Sequence, residues 1–142
     1  LAHAVTSGII SALVWMYFRS AGCAIASFIC GVFIDLDHLV DYYSSHKFTL
    51  DPKIVYDACS RVTMRRLYLL FHSYELLIAL WACILIFSLS DIWKAAAIGF
   101  TQHMIFDQIM NPISGYGYFF VYRALHKFDR GRVIHYGKGA RA

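Results

Sequence analysis

Apolar positions fall into four long runs: residues 3–18 (HAVTSGIISALVWMYF), 21–34 (AGCAIASFICGVFI), 67–90 (LYLLFHSYELLIALWACILIFSLS) and 92–106 (IWKAAAIGFTQHMIF), the last continuing towards Met110. A helix needs ~20 residues to cross the hydrocarbon of a bilayer. The third run meets that length alone, and the others meet it with their polar ends at the membrane boundary. Pro112 and Gly115 break the fourth. Between the second and third runs, residues 44–66 are polar and mixed, with Asp51-Pro52 suited to the N-cap and first position of a short amphipathic helix. Residues 116–125 (YGYFFVYRAL) are too short to span, and their tyrosines suit the headgroup level. The pattern predicts an all-α fold: one integral-membrane domain built as a four-helix transmembrane bundle. Its helices are expected at about 3–19, 21–42, 67–90 and 92–110, with an amphipathic segment between the second and third and a basic interfacial or soluble tail over 112–142.

Composition supports the membrane reading. Of 142 residues, 59% are hydrophobic and 15% charged, against about 45–50% and about 25% in soluble domains. The mean hydropathy is +0.53. A soluble domain of this size has too much surface for its volume to hide so much apolar area. Cys23, Cys30, Cys59 and Cys83 form no CxxC pair and read as small buried hydrophobes, without a disulfide framework or zinc knuckle. Residues 4–18 are apolar with Arg19 after them, the reverse of a signal peptide's order, so this run reads as a retained helix.

The net charge of +4 matters less than its distribution. Lysine and arginine number one after the first run, five after the second, one (Lys94) at the start of the fourth and six after it. By the positive-inside rule this alternation predicts a multi-pass protein of the inner (plasma) membrane with both termini cytoplasmic. The basic tail from Lys127 to Arg141 then reads as a topology signal and anionic-lipid contact, not a nucleic-acid site.

On that topology the ionisable residues of the apolar runs gather on one side. His3 opens the first helix, Asp35, Asp37 and His38 close the second, His72 lies near the start of the third, and His103 and Asp107 close the fourth. Asp35 and His38 (i, i+3), His72 and Glu75 (i, i+3), and His103 and Asp107 (i, i+4) share helical faces. Ionisable groups inside a membrane are costly and usually face the bundle interior and one another. Helix bundles commonly build metal sites from inward-facing histidines and carboxylates. Mixed imidazole and carboxylate donors suit a divalent transition metal: zinc first, then manganese or iron(II). Seven donors exceed the four a tetrahedral zinc needs, so the set fits two ions, or one ion with a carboxylate left as base or as orienter of a ligand. Asp41 reads as a solvated helix end, and His46, His126 and His135 as solvated. Glu75 is either a catalytic group or a charge partner for Arg65 or Arg66, and Thr6, Ser7 and Gly8 suit close helix packing.

These elements in order, H-A-x-x-S (His3, Ala4, Ser7), D-L-D-H (Asp35–His38), H-S (His72-Ser73) and H-x-x-x-D (His103, Asp107), resemble the LexA-regulated, membrane-bound metal-dependent hydrolase family over roughly residues 3 to 111. H-x-x-x-D also looks like a ligand pair of the zinc-dependent phospholipase C group. The resemblance implies metal ligands at His3, Asp35, Asp37, His38, His72, His103 and Asp107. Family members often carry Pro where Ile34 stands, and a Gly- or Thr-containing approach where LYLLF precedes the H-S pair.

The resulting expectation is a membrane hydrolase with a cytoplasmic-face metal site, acting on a small amphiphilic ester or phosphoester among membrane lipids. Asp37 or Glu75 would accept the water proton. Two rivals are a metal-ion or proton transport component, and a non-catalytic protein with a structural metal or polar network. The almost wholly apolar outer halves, ALVWMYF and ALWACILIFSLS, argue against a continuous ion path. The oligomeric state is not encoded in these patterns.

Overall fold

The computed structural model describes residues 2–60, 63–111, 113 and 115–134, so His135 and the end of the basic tail, 135–142, lie outside the described residues. The described residues are helical, without strands: α1 (Ala2–Phe18), α2 (Ala21–Val32), α3 (Asp37–Ser45), α4 (Pro52–Ser60), α5 (Tyr74–Ile86), α6 (Asp91–Met110), α7 (Phe120–Leu125) and α8 (Arg130–Val133). The chain divides into two compact units. The first is Leu1–Ile34 with Tyr74–Asn111, and the second is Asp35–Ser73 with Pro112–Ala142.

The first unit holds α1, α2, α5 and α6, the counterparts of the four predicted helices. Arg19, left-handed at φ 52°, ends α1, and Ser20 caps α2 by accepting from the Cys23 amide (3.4 Å). Small residues let α2 lie close to its neighbours. A Cβ on Gly99 of α6 would run into the Ser27 carbonyl, and one on Gly31 would meet the Ser7 side chain. The buried positions include Ser7, Ser11, Ser27, His103 and Asp107, whereas Val5, Ile9, Leu13, Trp15, Ile78, Leu85, Ile105 and Ile109 are exposed. Val14, Cys23, Leu77, Ile84, Phe100 and Met104 are buried beside those polar groups, yet so many large apolar side chains on the outer faces is unlike a soluble bundle, which turns its polar faces outward.

Among the described residues, one helix is long and apolar enough to cross a membrane: Ala21–Ser45, 25 residues in which α2 passes through a 3-10 turn (Phe33–Leu36) into α3. α1 and α5 are apolar but shorter, at 17 and 13 residues. α6 has the length, 20 residues, but carries polar positions. The third predicted helix differs most from expectation, beginning at Tyr74 rather than at 67 and ending at Ile86.

The second unit explains that late start. Residues 67–73 are irregular, and their backbone groups bond to side chains distant in sequence. Asp41 accepts from the amides of Tyr68 (2.9 Å) and Leu69 (3.3 Å). Asp37 accepts from those of Phe71 (2.9 Å) and His72 (3.3 Å). Arg123 of α7 donates to the carbonyls of Leu69 (2.8 Å), His72 (2.8 Å) and Gly117 (2.7 Å). These bonds satisfy the polar groups a helix would have paired internally. Met64, Leu67, Leu69, Val133 and Ile134 form the apolar core of this unit. α4 begins as expected, with the Asp51 carboxylate accepting from the Lys53 amide (2.9 Å) and Pro52 in the first turn.

Candidate metal centre

The first unit assembles His3, His103 and Asp107. Their positions follow from α1 starting, and α6 ending, with inward-facing polar residues. Asp107 is buried, with Oδ1 3.3 Å from His3 Nε2 and Oδ2 3.6 Å from His103 Nε2. The two imidazoles stack, with ring centroids 4.7 Å apart. His103 Nδ1 lies 2.9 Å from the Gly31 carbonyl oxygen. A carbonyl only accepts, so Nδ1 carries a proton, and Nε2 is the ring nitrogen turned towards Asp107. A histidine that holds a metal usually has such a partner on its other nitrogen. Ser7 strengthens the corner by donating to the same Gly31 carbonyl (2.9 Å).

The second unit assembles Asp35, Asp37, His38 and His72. The 3-10 turn before α3 brings Asp35 and His38 together, with Oδ1 3.7 Å from His38 Nε2. The same Oδ1 lies 3.5 Å from His72 Nε2. The two rings are 4.9 Å apart at 49°. Asp37 is buried and uses one oxygen only: Oδ2 takes the His72 ring nitrogen Nδ1 (3.0 Å) and the amides of Phe71 and His72. Its Oδ1 is buried without a hydrogen-bond partner among the described residues. An unsatisfied buried carboxylate oxygen is expensive, and a cation would satisfy it. Ligand atoms of Asp37, His38 and His72 lie within 4.8 Å of one another.

Both clusters therefore share one plan. A carboxylate (Asp107 or Asp35) sits between two imidazole Nε2 atoms, and one imidazole has its Nδ1 held by a fixed oxygen. Two histidines and a carboxylate suit zinc, iron(II) or manganese. Asp35, His72, His103 and Asp107 are all residues whose donor atoms could hold a metal ion. The clusters differ in access: the Asp107 side chain is 1% exposed and that of Asp35 41%, so the second keeps an open edge.

Of the expected site residues, His3, Asp35, Asp37, His38, His72, His103 and Asp107 all fall within these two clusters. Glu75 lies half-buried in the first turn of α5, where a negative charge suits the helix N-terminus. Asp41 is not a solvated helix end. It is fully buried and holds residues 68–69. The signal was its i, i+4 spacing from Asp37, which puts both carboxylates on one face of α3. His46 stacks on Tyr42, and His126 donates to the Tyr122 carbonyl, so both are half-buried rather than solvated. All four cysteines are free: Cys23 is buried, Cys30 and Cys59 partly so, and Cys83 exposed. No family model, no curated protein and no solved structure matches this chain.

Proposed function

We propose that this protein is a membrane-embedded, metal-dependent hydrolase whose two histidine–carboxylate clusters each take one divalent transition ion. The observation that carries the reading is the orphaned, buried Oδ1 of Asp37 beside two imidazoles whose Nε2 atoms face the Asp35 carboxylate. Held by these residues, an ion would supply Lewis-acid chemistry to a water and a substrate oxygen. The chain's own residues supply the rest. Asp37 Oδ2 fixes the His72 ring through Nδ1, and Asp37 Oδ1 is placed to accept a proton. The exposed side of Asp35 leaves room for substrate. This refines the expected role of Asp37: one oxygen orients a ligand while the other ligates or acts as base. Glu75 is given no catalytic part.

The membrane embedding rests on the large apolar side chains that cover the first unit's outer faces, with serines, His103 and Asp107 among its buried positions. That is how helices pack in lipid. We read α1, α5 and α6 as entering the bilayer with the α2–α3 span, and the lysine and arginine alternation as placing both termini in the cytoplasm. An amphiphilic ester or phosphoester at headgroup depth is the substrate class.

Elemental analysis of the full chain, purified in mild detergent without chelator, tests the reading. The expected result is about two equivalents of a transition metal. A His103→Ala/Asp107→Ala variant and a His38→Ala/His72→Ala variant should each lose one equivalent with helical content retained. The metal-loaded protein should hydrolyse ester or phosphoester probes, and the second variant should not. A parent that holds no metal after incubation with zinc or manganese would sink the proposal.

A further inference from the structure

The second unit contains a cavity of about 580 Å³ that has no part in the clusters above. Its walls are made by pairing two distant segments. Arg66 and Asp129 form an antiparallel bridge, the Leu67 amide donates to the Phe128 carbonyl (2.9 Å), and the Arg130 amide donates to that of Arg65 (3.3 Å). This pairing sets Arg65 and Arg66 beside Lys127 and Arg132, and all four line the cavity. Asp129 is the one carboxylate among its lining residues. The C-terminal end of α3 contributes hydroxyls, and Ser45 Oγ accepts from the Arg65 amide (3.3 Å).

The turn that delivers Lys127 is strained. Lys127 and Phe128 are consecutive non-glycine residues in the left-handed region, at φ 55° and 57°. Such backbone is uncommon and persists where its surroundings hold it, often around ligands. Here it aims a cation into a basin that already holds three guanidinium groups, those of Arg65, Arg66 and Arg132. Like charges brought together repel, and an anion between them removes that cost. Guanidinium forks match phosphate oxygens, and Lys adds a point charge.

We propose that this basin binds a phosphate-bearing ligand, a phosphomonoester or pyrophosphate group, carried either by a lipid headgroup or by a soluble compound. The site is independent of the metal clusters and stands whether or not they are catalytic.

Native mass spectrometry of the full chain in neutral detergent reads lipid binding, and isothermal titration with inorganic pyrophosphate reads soluble binding. The variant is Arg66→Gln/Lys127→Gln/Arg132→Gln. A control of equal charge loss is Arg19→Gln/Lys47→Gln/Lys53→Gln, and single Arg132→Gln serves if the triple variant loses its helical signal. The expected result is saturable binding weakened about tenfold or more in the variant and little changed in the control. Pyrophosphate binding assigns a soluble ligand. Retention of phosphatidic acid over phosphatidylglycerol, without pyrophosphate binding, assigns a lipid headgroup. Equal losses in variant and control, no binding of either probe, or equal retention of the two lipids without pyrophosphate binding would overturn the site.

Discussion

Replacing Arg123 is the sharpest test of how the second unit holds its shape. The guanidinium is fully buried and donates to three carbonyls, those of Leu69, His72 and Gly117, at 2.7–2.8 Å. Each hydrogen bond from a charged donor contributes about 1.5–3 kcal/mol. Three at the lower end sum to about 4–5 kcal/mol, and release of the buried cation to water offsets part of that. We therefore expect Arg123→Gln to destabilise by about 2–4 kcal/mol. For a chain of this size that is a fall of roughly 10 °C in midpoint. Arg123→Lys keeps the charge but not the planar fork, so it can reach fewer carbonyls at once. It should recover no more than about half of the loss. The assay is thermal unfolding of the detergent-solubilised protein followed by helical circular dichroism, with metal affinity measured on the same samples. His72 hangs from this network through both its carbonyl and its amide, so metal binding should weaken in Arg123→Lys even where the helices persist. A lysine variant with the stability and metal affinity of the parent would refute the argument, because charge alone would then suffice.

Three further outcomes follow from local geometry. Gly99→Ala should cost about 1–3 kcal/mol or more, since its methyl runs into the Ser27 backbone, whereas Gly8→Ala, with open space around it, should be neutral or stabilising by up to about 1 kcal/mol; comparable losses at both sites in thermal unfolding would contradict the close α2–α6 approach. Asp41→Asn should destabilise by about 1–3 kcal/mol, because Asn presents an NH2 group to one of the two amides Asp41 now serves; an unchanged denaturation midpoint would remove Asp41 from the network. Asp37→Asn should lower metal affinity about 10–100-fold while helical content persists; competition with a fluorescent chelator measures this, and an affinity equal to the parent's would mean Asp37 neither ligates nor orients His72.

Hydropathy made the helical class and the candidate donors readable, because those signals are local. Asp35 and His38, and His103 and Asp107, share a face by spacing alone, and both pairs meet in the structure. The chain from 67 to 73 departs from the helical expectation for the opposite reason. Leu67 through Phe71 look like the start of an apolar helix, yet the partners of Tyr68 and Phe71 lie 27 and 34 residues upstream, and those of Leu69 and His72 lie 54 and 51 downstream. A window sees seven apolar-rich residues and assigns them internal hydrogen bonds. The fold instead gives their amides to Asp37 and Asp41 and two of their carbonyls to Arg123. Traces of this are present in the sequence. Asp37 and Asp41 are i, i+4, two like charges on one face of a short helix, which is unfavourable unless something nearby offers donors. Arg123 is a lone cation inside the aromatic run YFFVYRAL, where a charge requires buried acceptors. Two carboxylates that need donors and one guanidinium that needs acceptors are complementary demands. An unpaired stretch of backbone carries both amides and carbonyls, and residues 67–73 meet both demands at once. His72 sits within that stretch, so the network that displaces the helix is also what fixes the metal-binding imidazole.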